Sequence, residues 1–258
     1  MELVRAKKHL GQHFLNDESI AFEIVNSFNE KCTSKDVLEV GPGMGVLTQY
    51  LLKNESFQTW AIDIDSESVK WLKEHFPMLQ ERLILGDFLQ INFKDYIKGE
   101  FSLIGNFPYN ISSQIVFRLI DCKAQIPLMV GMFQKEVAER LCGKPRTKDY
   151  GILSVITQAF FDVEYLMTVP EHVFTPPPKV KSAVVRFTRK ETPLACDEKK
   201  FRQVVKTAFN QRRKKLRNGL SSFNISDEIL KEFIDRRAEE LSVDDFVNLT
   251  NIIIANQS

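Results

Sequence analysis

The chain has 258 residues, 43% hydrophobic and 27% charged, with 35 Lys and Arg against 34 Asp and Glu for a formal net charge of +1. This is ordinary globular composition, enough for one large domain or a large and a small one, and its balance gives no whole-molecule field toward a polyanion. No apolar run approaches the roughly 18–20 residues of a membrane span, and no apolar h-region follows the basic N-terminus, so neither a spanning helix nor a secretory signal is expected.

In chain order, DESIAFEIVNSFN (17–29) carries apolar residues at helical spacing behind a capping Asp. KDVLEVGPGMGVLTQYLLK (35–53) reads as strand, glycine turn and helix. The alternation continues with TWAIDID and SESVKWLKEHF, RLILGDF and a loop, FSLIGNFPY and ISSQIVFRLIDC, then PLMVGMFQ and KEVAERLC. Short apolar strands alternating with helices predict a mostly parallel, doubly wound α/β sheet with helices on both faces. FFDVEYLMTVP and SAVVRFTR follow with only HVFTPPPKVK between them, and are expected to pair as an antiparallel edge. Beyond ETPLACDEKK the pattern turns entirely helical. Phe201, Val205, Ala208, Phe209, Leu216 and Leu220 fall on one stripe, and DEILKEFIDRRAEEL and VDDFVNLTNII follow as further helices. The expected division is 1–190 for the sheet domain and 191–258 for a small all-α domain.

Glu39-Val-Gly41-Pro-Gly43-Met-Gly45 joins the first strand to a helix. Glycines admit close backbone approach, and a helix N-terminus offers unpaired N–H groups. Asp63 ends the next strand about 20 residues on, where a ribose diol would be held, and Asp87 ends the third, where it suits an adenine amino group. Glu39 would repel a pyrophosphate yet welcome a cationic amino acid. The set favours S-adenosylmethionine over NAD.

The fourth strand ends in Asn106-Phe107-Pro108-Tyr109. Proline cannot continue a central ladder and holds the preceding residue extended, so the chain must leave the sheet here. An exocyclic adenine nitrogen is a poor nucleophile because its lone pair is delocalised. Acceptors on its two hydrogens let it pyramidalise toward a methyl donor, and the Asn106 side-chain oxygen with a carbonyl fixed by Pro108 supplies two. Tyr109 offers a face for a flipped base. The plain alternative is a strand-ending turn with Phe107 and Tyr109 in the core.

With these residues in place, the sequence resembles the ribosomal RNA adenine N6,N6-dimethyltransferase family, and within it the small-subunit branch. KKHLGQHFLND, VLEVGPGMGVLT, AIDID, GDFL, NFPYNISS, FQKEVAERL, VFTPPPKVKSAVVRF and FNQRRKKLRNGL resemble successive family segments from about residue 7 to 220. The resemblance implies a Rossmann-like, S-adenosylmethionine-dependent methyltransferase sheet and cofactor contacts from His13, Leu15, Glu39, Gly41, Gly43, Asp63, Asp87 and Asn106. It implies a target-adenine site of Asn106, Pro108 and Tyr109, closed on the other side of the base by Phe174. The implied activity is dimethylation of two adjacent adenosines in the 3′-terminal hairpin of 16S rRNA, within the small ribosomal subunit, with a part in subunit assembly; the lack of an exposed apolar stripe predicts a monomer, and the scattered cysteines a reducing cytoplasm. His13 stands where the family more often has Asn, Asp63 where it has Glu, and Phe107 where it has Leu or Ile.

Basic clusters at RAKK (5–8), KPRTK (144–148), KVK (179–181) and RRKKLR (212–217) are expected to border a cleft between the two domains and contact RNA phosphates, with RRKKLR on the polar side of the first C-terminal helix. The N-terminal lid through residue 15 is expected to order on cofactor binding. Scattered Cys32, Cys122, Cys142 and Cys196 read as free thiols, and His9, His75 and His172 lack partners for metal or acid–base work, so no metal is expected. Three rivals are weighed: the macrolide-resistance branch acting on large-subunit rRNA, a non-catalytic assembly factor, and, weakest, a dehydrogenase.

Overall fold

The computed structural model describes residues 4–211 and 214–256. A short strand β1 (Phe14–Leu15) leads into α1 (Glu18–Asn29), where the Asp17 carboxylate caps the Ser19 and Ile20 N–H groups and Ala21, Ile24, Val25 and Phe28 turn inward. The alternation runs through β2 (Asp36–Val40), α2 (Thr48–Leu51), β3 (Gln58–Asp63), α3 (Ser66–His75), β4 (Leu83–Leu85), β5 (Ser102–Asn106), α4 (Ser112–Asp121), β6 (Leu128–Gln134) and α5 (Lys135–Leu141). Then come α6 (Ile152–Gln158), β7 (Phe161–Val169), β8 (Phe174–Thr175), β9 (Ser182–Arg189), α7 (Glu198–Phe209), α8 (Leu216–Gly219) and α9 (Val243–Ala255).

Seven strands form one sheet in the order β4-β3-β2-β5-β6-β9-β7. β2 through β6 pair in parallel, and β9 runs antiparallel to β6 with β7 outside it. The central strands are apolar without alternation because both faces are covered: Val37, Leu38, Leu103, Ile104, Met129 and Val130 are all inaccessible. Chain order reverses between β2 and β5, which opens a crevice at their carboxyl ends. β1 and β8 form a separate antiparallel ribbon, Phe14 opposite Thr175 and Leu15 opposite Phe174.

Two compact units emerge, one of Met1–Ala138 with Glu164–Arg189 and the other of Glu139–Val163 with Lys190–Ser258. The expected boundary near residue 190 therefore needs correction: residues 139–163, assigned to the sheet domain from sequence, pack with the helices. The reason is α6, a short helix masked in the sequence by the strongly β-like FFDVEYL after it; it packs on α7 and α9. Just ahead of it, Tyr150 is buried edge-on to Phe209 and donates 2.8 Å to the Leu241 carbonyl.

Within the second unit, α7 buries Phe201, Val204, Val205, Ala208 and Phe209, but Leu216 and Leu220 are buried from the separate α8, so the single stripe is two elements. DEILKEFIDRRAEEL is a run of turns ending in a short 3-10 helix (Ala238–Glu240) rather than an α-helix, although Leu230, Phe233 and Ile234 are buried as its periodicity required. Arg212 and Arg213 of the basic run lie outside the described residues. Lys215 and Arg217 pair with acids of their own unit, Asp235 at 2.9 Å and Asp227 at 2.7 Å.

Candidate active site

Register builds the crevice. Glu39 lies opposite Ala61 on one side and Ile104 on the other, so the first glycine of the loop emerges level with Asp63 and Asn106. Gly41 takes φ +67° and donates 2.9 Å to the Ile62 carbonyl, turning the chain across the ends of the strands. A Cβ at Gly43, φ +57°, would stand 2.8 Å from the Phe14 ring, so the loop and the N-terminal segment close on each other only with glycine there. α2 is a single turn because the loop uses residues expected to be helical.

The resulting cleft is open to solvent and spans about 940 Å³ with that open space included. Eight of the expected residues line it: His13, Gly41, Gly43, Asp63, Asp87, Asn106, Pro108 and Tyr109. Asp63 is buried, and its carboxylate accepts from the Gly43 and Asp65 N–H groups at 3.3 and 2.8 Å. Burial outweighs those bonds and pushes its pKa up to about 6. Asp87 is half-buried and accepts from the Leu89 N–H at 2.9 Å and the Gln90 amide at 2.8 Å. Ile64, 56% exposed, and Phe88 supply apolar walls.

Two expected contacts sit behind this cleft. Glu39 and Leu15 line a smaller recess that shares Phe14, Gly41, Gly43 and Asn106 with it. Glu39 is 1% exposed and accepts the Thr48 hydroxyl at 2.5 Å. Burial, reinforced by Asp63, pushes its pKa up to about 8. Phe174 is the correction: its ring, expected beside the target base, is 2% exposed and packs with Leu15, Val173 and Val184 in the core. Pairing of β8 with β1 turns it inward.

The Asn-Phe-Pro-Tyr turn divides its labour. Phe107 is 1% exposed and lies over two glycines, since a Cβ on Gly131 would meet its ring at 2.1 Å and one on Gly105 at 2.7 Å. This missing bulk makes room for the aromatic ring. Asn106 donates from Nδ2 to the His13 carbonyl at 2.8 Å, which leaves Oδ1 as its acceptor. Among the described residues, the Pro108 carbonyl receives only long contacts, from the Ile111 N–H at 3.3 Å and the Ser112 hydroxyl at 3.4 Å. Tyr109 is tied by its hydroxyl to that of Ser182.

The sequence did not single out the fastening of the N-terminal segment. Lys7 pairs with Asp65 at 2.5 Å and Glu67 at 3.2 Å, and Gln12 reaches Asp65 at 3.3 Å. Asp65 is buried; despite that, hydrogen bonds from Lys7, Glu67 N–H and Gln12 hold its carboxyl below the usual range. It also caps α3. The signal was the second acid of AIDID, two residues beyond Asp63. Lys7 is thus committed to the cleft rim rather than to open basic surface.

A glycine loop, two strand-end acids and a polar-aromatic turn around the switch point of this sheet define a Rossmann-like methyltransferase. Comparison with known proteins narrows the class. The model of the family described as ribosomal RNA adenine dimethylase matches residues 3–255, and the chain belongs to that family. It is 57% identical to the ribosomal RNA small subunit methyltransferase A of Cytophaga hutchinsonii, over 98% of this chain and 99% of that one. The protein of the same name from Flavobacterium johnsoniae is 56% identical, over 99% and 98%. Among solved structures, a dimethyladenosine transferase from Plasmodium falciparum superposes with a TM-score of 0.80 at 26% identity, covering 92% and 96% of the two chains. The 23S rRNA methyltransferase ErmE gives 0.70 at 25%, covering 93% and 99%. No helix among the described residues is long and apolar enough to cross a membrane.

Proposed function

We propose that this protein uses S-adenosylmethionine to dimethylate N6 of two adjacent adenosines in the 3′-terminal hairpin of 16S rRNA, within the small ribosomal subunit. It would act in the cytoplasm as a monomer and take part in subunit assembly. The observation that carries this reading is the placement of Asn106, its amide oriented by the His13 carbonyl, beside the glycine loop.

The cleft fits the cofactor in kind. Asp63 suits a ribose diol, Asp87 an amino group on a flat ring, and Ile64 and Phe88 the ring itself, while Gly41 and Gly43 admit close approach. The Asp63 carboxylate in the cleft opposes a pyrophosphate. When bound, S-adenosylmethionine supplies an electrophilic methyl group on a positively charged sulfur. The work of this chain is positional. Asn106 Oδ1 and the Pro108 carbonyl accept from the two N6 hydrogens, which turns the nitrogen lone pair out of conjugation, and Tyr109 stacks the base. None of these residues needs to be a strong base. Exposed Lys179 and Lys181 in one unit, and Lys144, Arg146 and Lys148 in the other, are proposed phosphate contacts.

The test supplies labelled S-adenosylmethionine with unmethylated small subunits or naked large-subunit rRNA and maps the modified adenosines. Paired dimethyladenosines in the small subunit are expected. Asn106→Ala should lower the rate by about 10²–10³-fold, the cost of one preorganised polar contact. Methylation of large-subunit RNA instead would refute the substrate assignment, and cofactor binding without transfer to either would point to an assembly factor.

A further inference from the structure

His13 does more than lend its carbonyl to Asn106. Its ring is stacked on Tyr109 with centroids 5.1 Å apart and planes 29° from parallel. Its Nδ1 lies 2.7 Å from the Pro176 carbonyl, a donor–acceptor pair when that nitrogen carries the proton. The ring and the tetrad line the same cleft. The backbone under the ring is fixed independently: Phe14 and Leu15 pair with β8, Asn16 N–H donates 2.8 Å to the Val173 carbonyl, and the Asn16 amide reaches the Thr175 hydroxyl at 2.6 Å. A flat heteroaromatic ring, similar in kind to a nucleobase, therefore occupies a face of Tyr109, carried by the residue just before a strand whose pairing does not depend on that ring.

Distance decides what this occupant can be. A base sandwiched between two rings needs about 3.5–4 Å on each side, roughly 7 Å or more from ring to ring. At 5.1 Å there is no room for a third ring. We propose that His13 is a placeholder for the target adenine: its imidazole fills the stacking face of Tyr109, and the flipped base must displace it by side-chain rotation. The placeholder sets a threshold for entry, because the incoming base must replace both the stacking and the hydrogen bond to Pro176. Purines, with the larger stacking surface, meet that threshold more readily than pyrimidines. This rests on Tyr109 being the surface that stacks the base.

The test measures kcat and KM for unmethylated small subunits, with S-adenosylmethionine affinity by calorimetry, for the wild type, His13→Ala, His13→Phe and Tyr109→Ala. Thermal melts of each variant confirm folding. His13→Ala should lower the KM for the small subunit, measured at saturating S-adenosylmethionine, by about 3–10-fold, the scale of one modest contact. His13→Phe restores a ring and should return the KM to the wild-type value or above it, which a loss of general structure would not do. An unchanged or raised KM in His13→Ala refutes the placeholder, as does a loss of cofactor affinity with the RNA KM unmoved. If Tyr109→Ala is slow while His13→Ala leaves the KM alone, the placeholder falls and the base site stands. If Tyr109→Ala works at full rate, both fall.

Discussion

The two ends of this chain handle charge in opposite ways. At the carboxyl edge of the sheet, Glu39, Asp63 and Asp65 are buried and feel one another's charge, two with pKa values driven far up and one held down by Lys7. In the helical unit, Lys215, Arg217, Asp227 and Asp235 form pairs with more than half of most side chains in water. Burying a carboxylate costs free energy and is kept where a ligand requires it, whereas an exposed pair contributes little and can exchange partners. The helical unit keeps its interior apolar instead, with Phe201, Phe209, Phe246 and Ile253 buried together with few polar groups. The cleft is specified atom by atom, and the helical surface is specified mainly by sign.

Three experiments sharpen or break that contrast. The largest effect is expected at Gly131→Ala, beneath the cleft, because the new Cβ would meet the Phe107 ring at 2.1 Å. Overpacking of this kind costs about 1–3 kcal/mol, to be read from denaturant unfolding, with slower methyl transfer as the tetrad shifts. Adding Phe107→Leu should recover part of both; if the two changes are simply additive, the ring is not what the glycine accommodates.

Next in size is the pH dependence of Glu39→Gln. The folded protein holds a proton on Glu39 up to about pH 8, whereas the unfolded chain releases it near 4.5. The folded state therefore binds more protons across that window, and stability falls as pH rises through it. Glutamine stays neutral and still accepts from Thr48. The variant should thus gain on the wild type by on the order of 1–3 kcal/mol between pH 5 and 8. Melting curves that keep a constant offset across this range would show that Glu39 is not a buried, protonated acid.

The smallest effect belongs to the helical surface. Lys215→Ala with Arg217→Ala should change stability by less than about 1 kcal/mol, since their partners are exposed. The same pair should weaken binding to the small subunit and reduce its salt dependence, as expected for phosphate contacts. A large loss of stability would place these pairs beside the buried acids of the cleft in kind.

Much of the site was legible because its chemistry is local in sequence. A strand, a glycine run and an acid two residues before it place Gly41 and Gly43 without reference to the rest of the chain, and alternation of strands and helices places Asp63, Asp87 and Asn106 at one edge. The helical unit was harder. FFDVEYL resembles a strand so strongly that it masks α6 before it, and a period of apolar residues in DEILKEFIDRRAEEL marks burial equally well for turns and a 3-10 helix. Periodicity records which residues face inward, not which hydrogen bonds the backbone makes.

What the sequence alone determined was the sheet, the switch-point site and the residue types that meet there. Contacts between segments far apart in the chain needed the tertiary structure. Pairing of β1 with β8 buries Phe174 and carries His13 onto Tyr109, Asp65 receives Lys7 from 58 positions away, and Phe107 rests on Gly131. None of these has a local signature, because each depends on which surfaces packing brings within a few ångströms, and that is fixed only when the whole core closes.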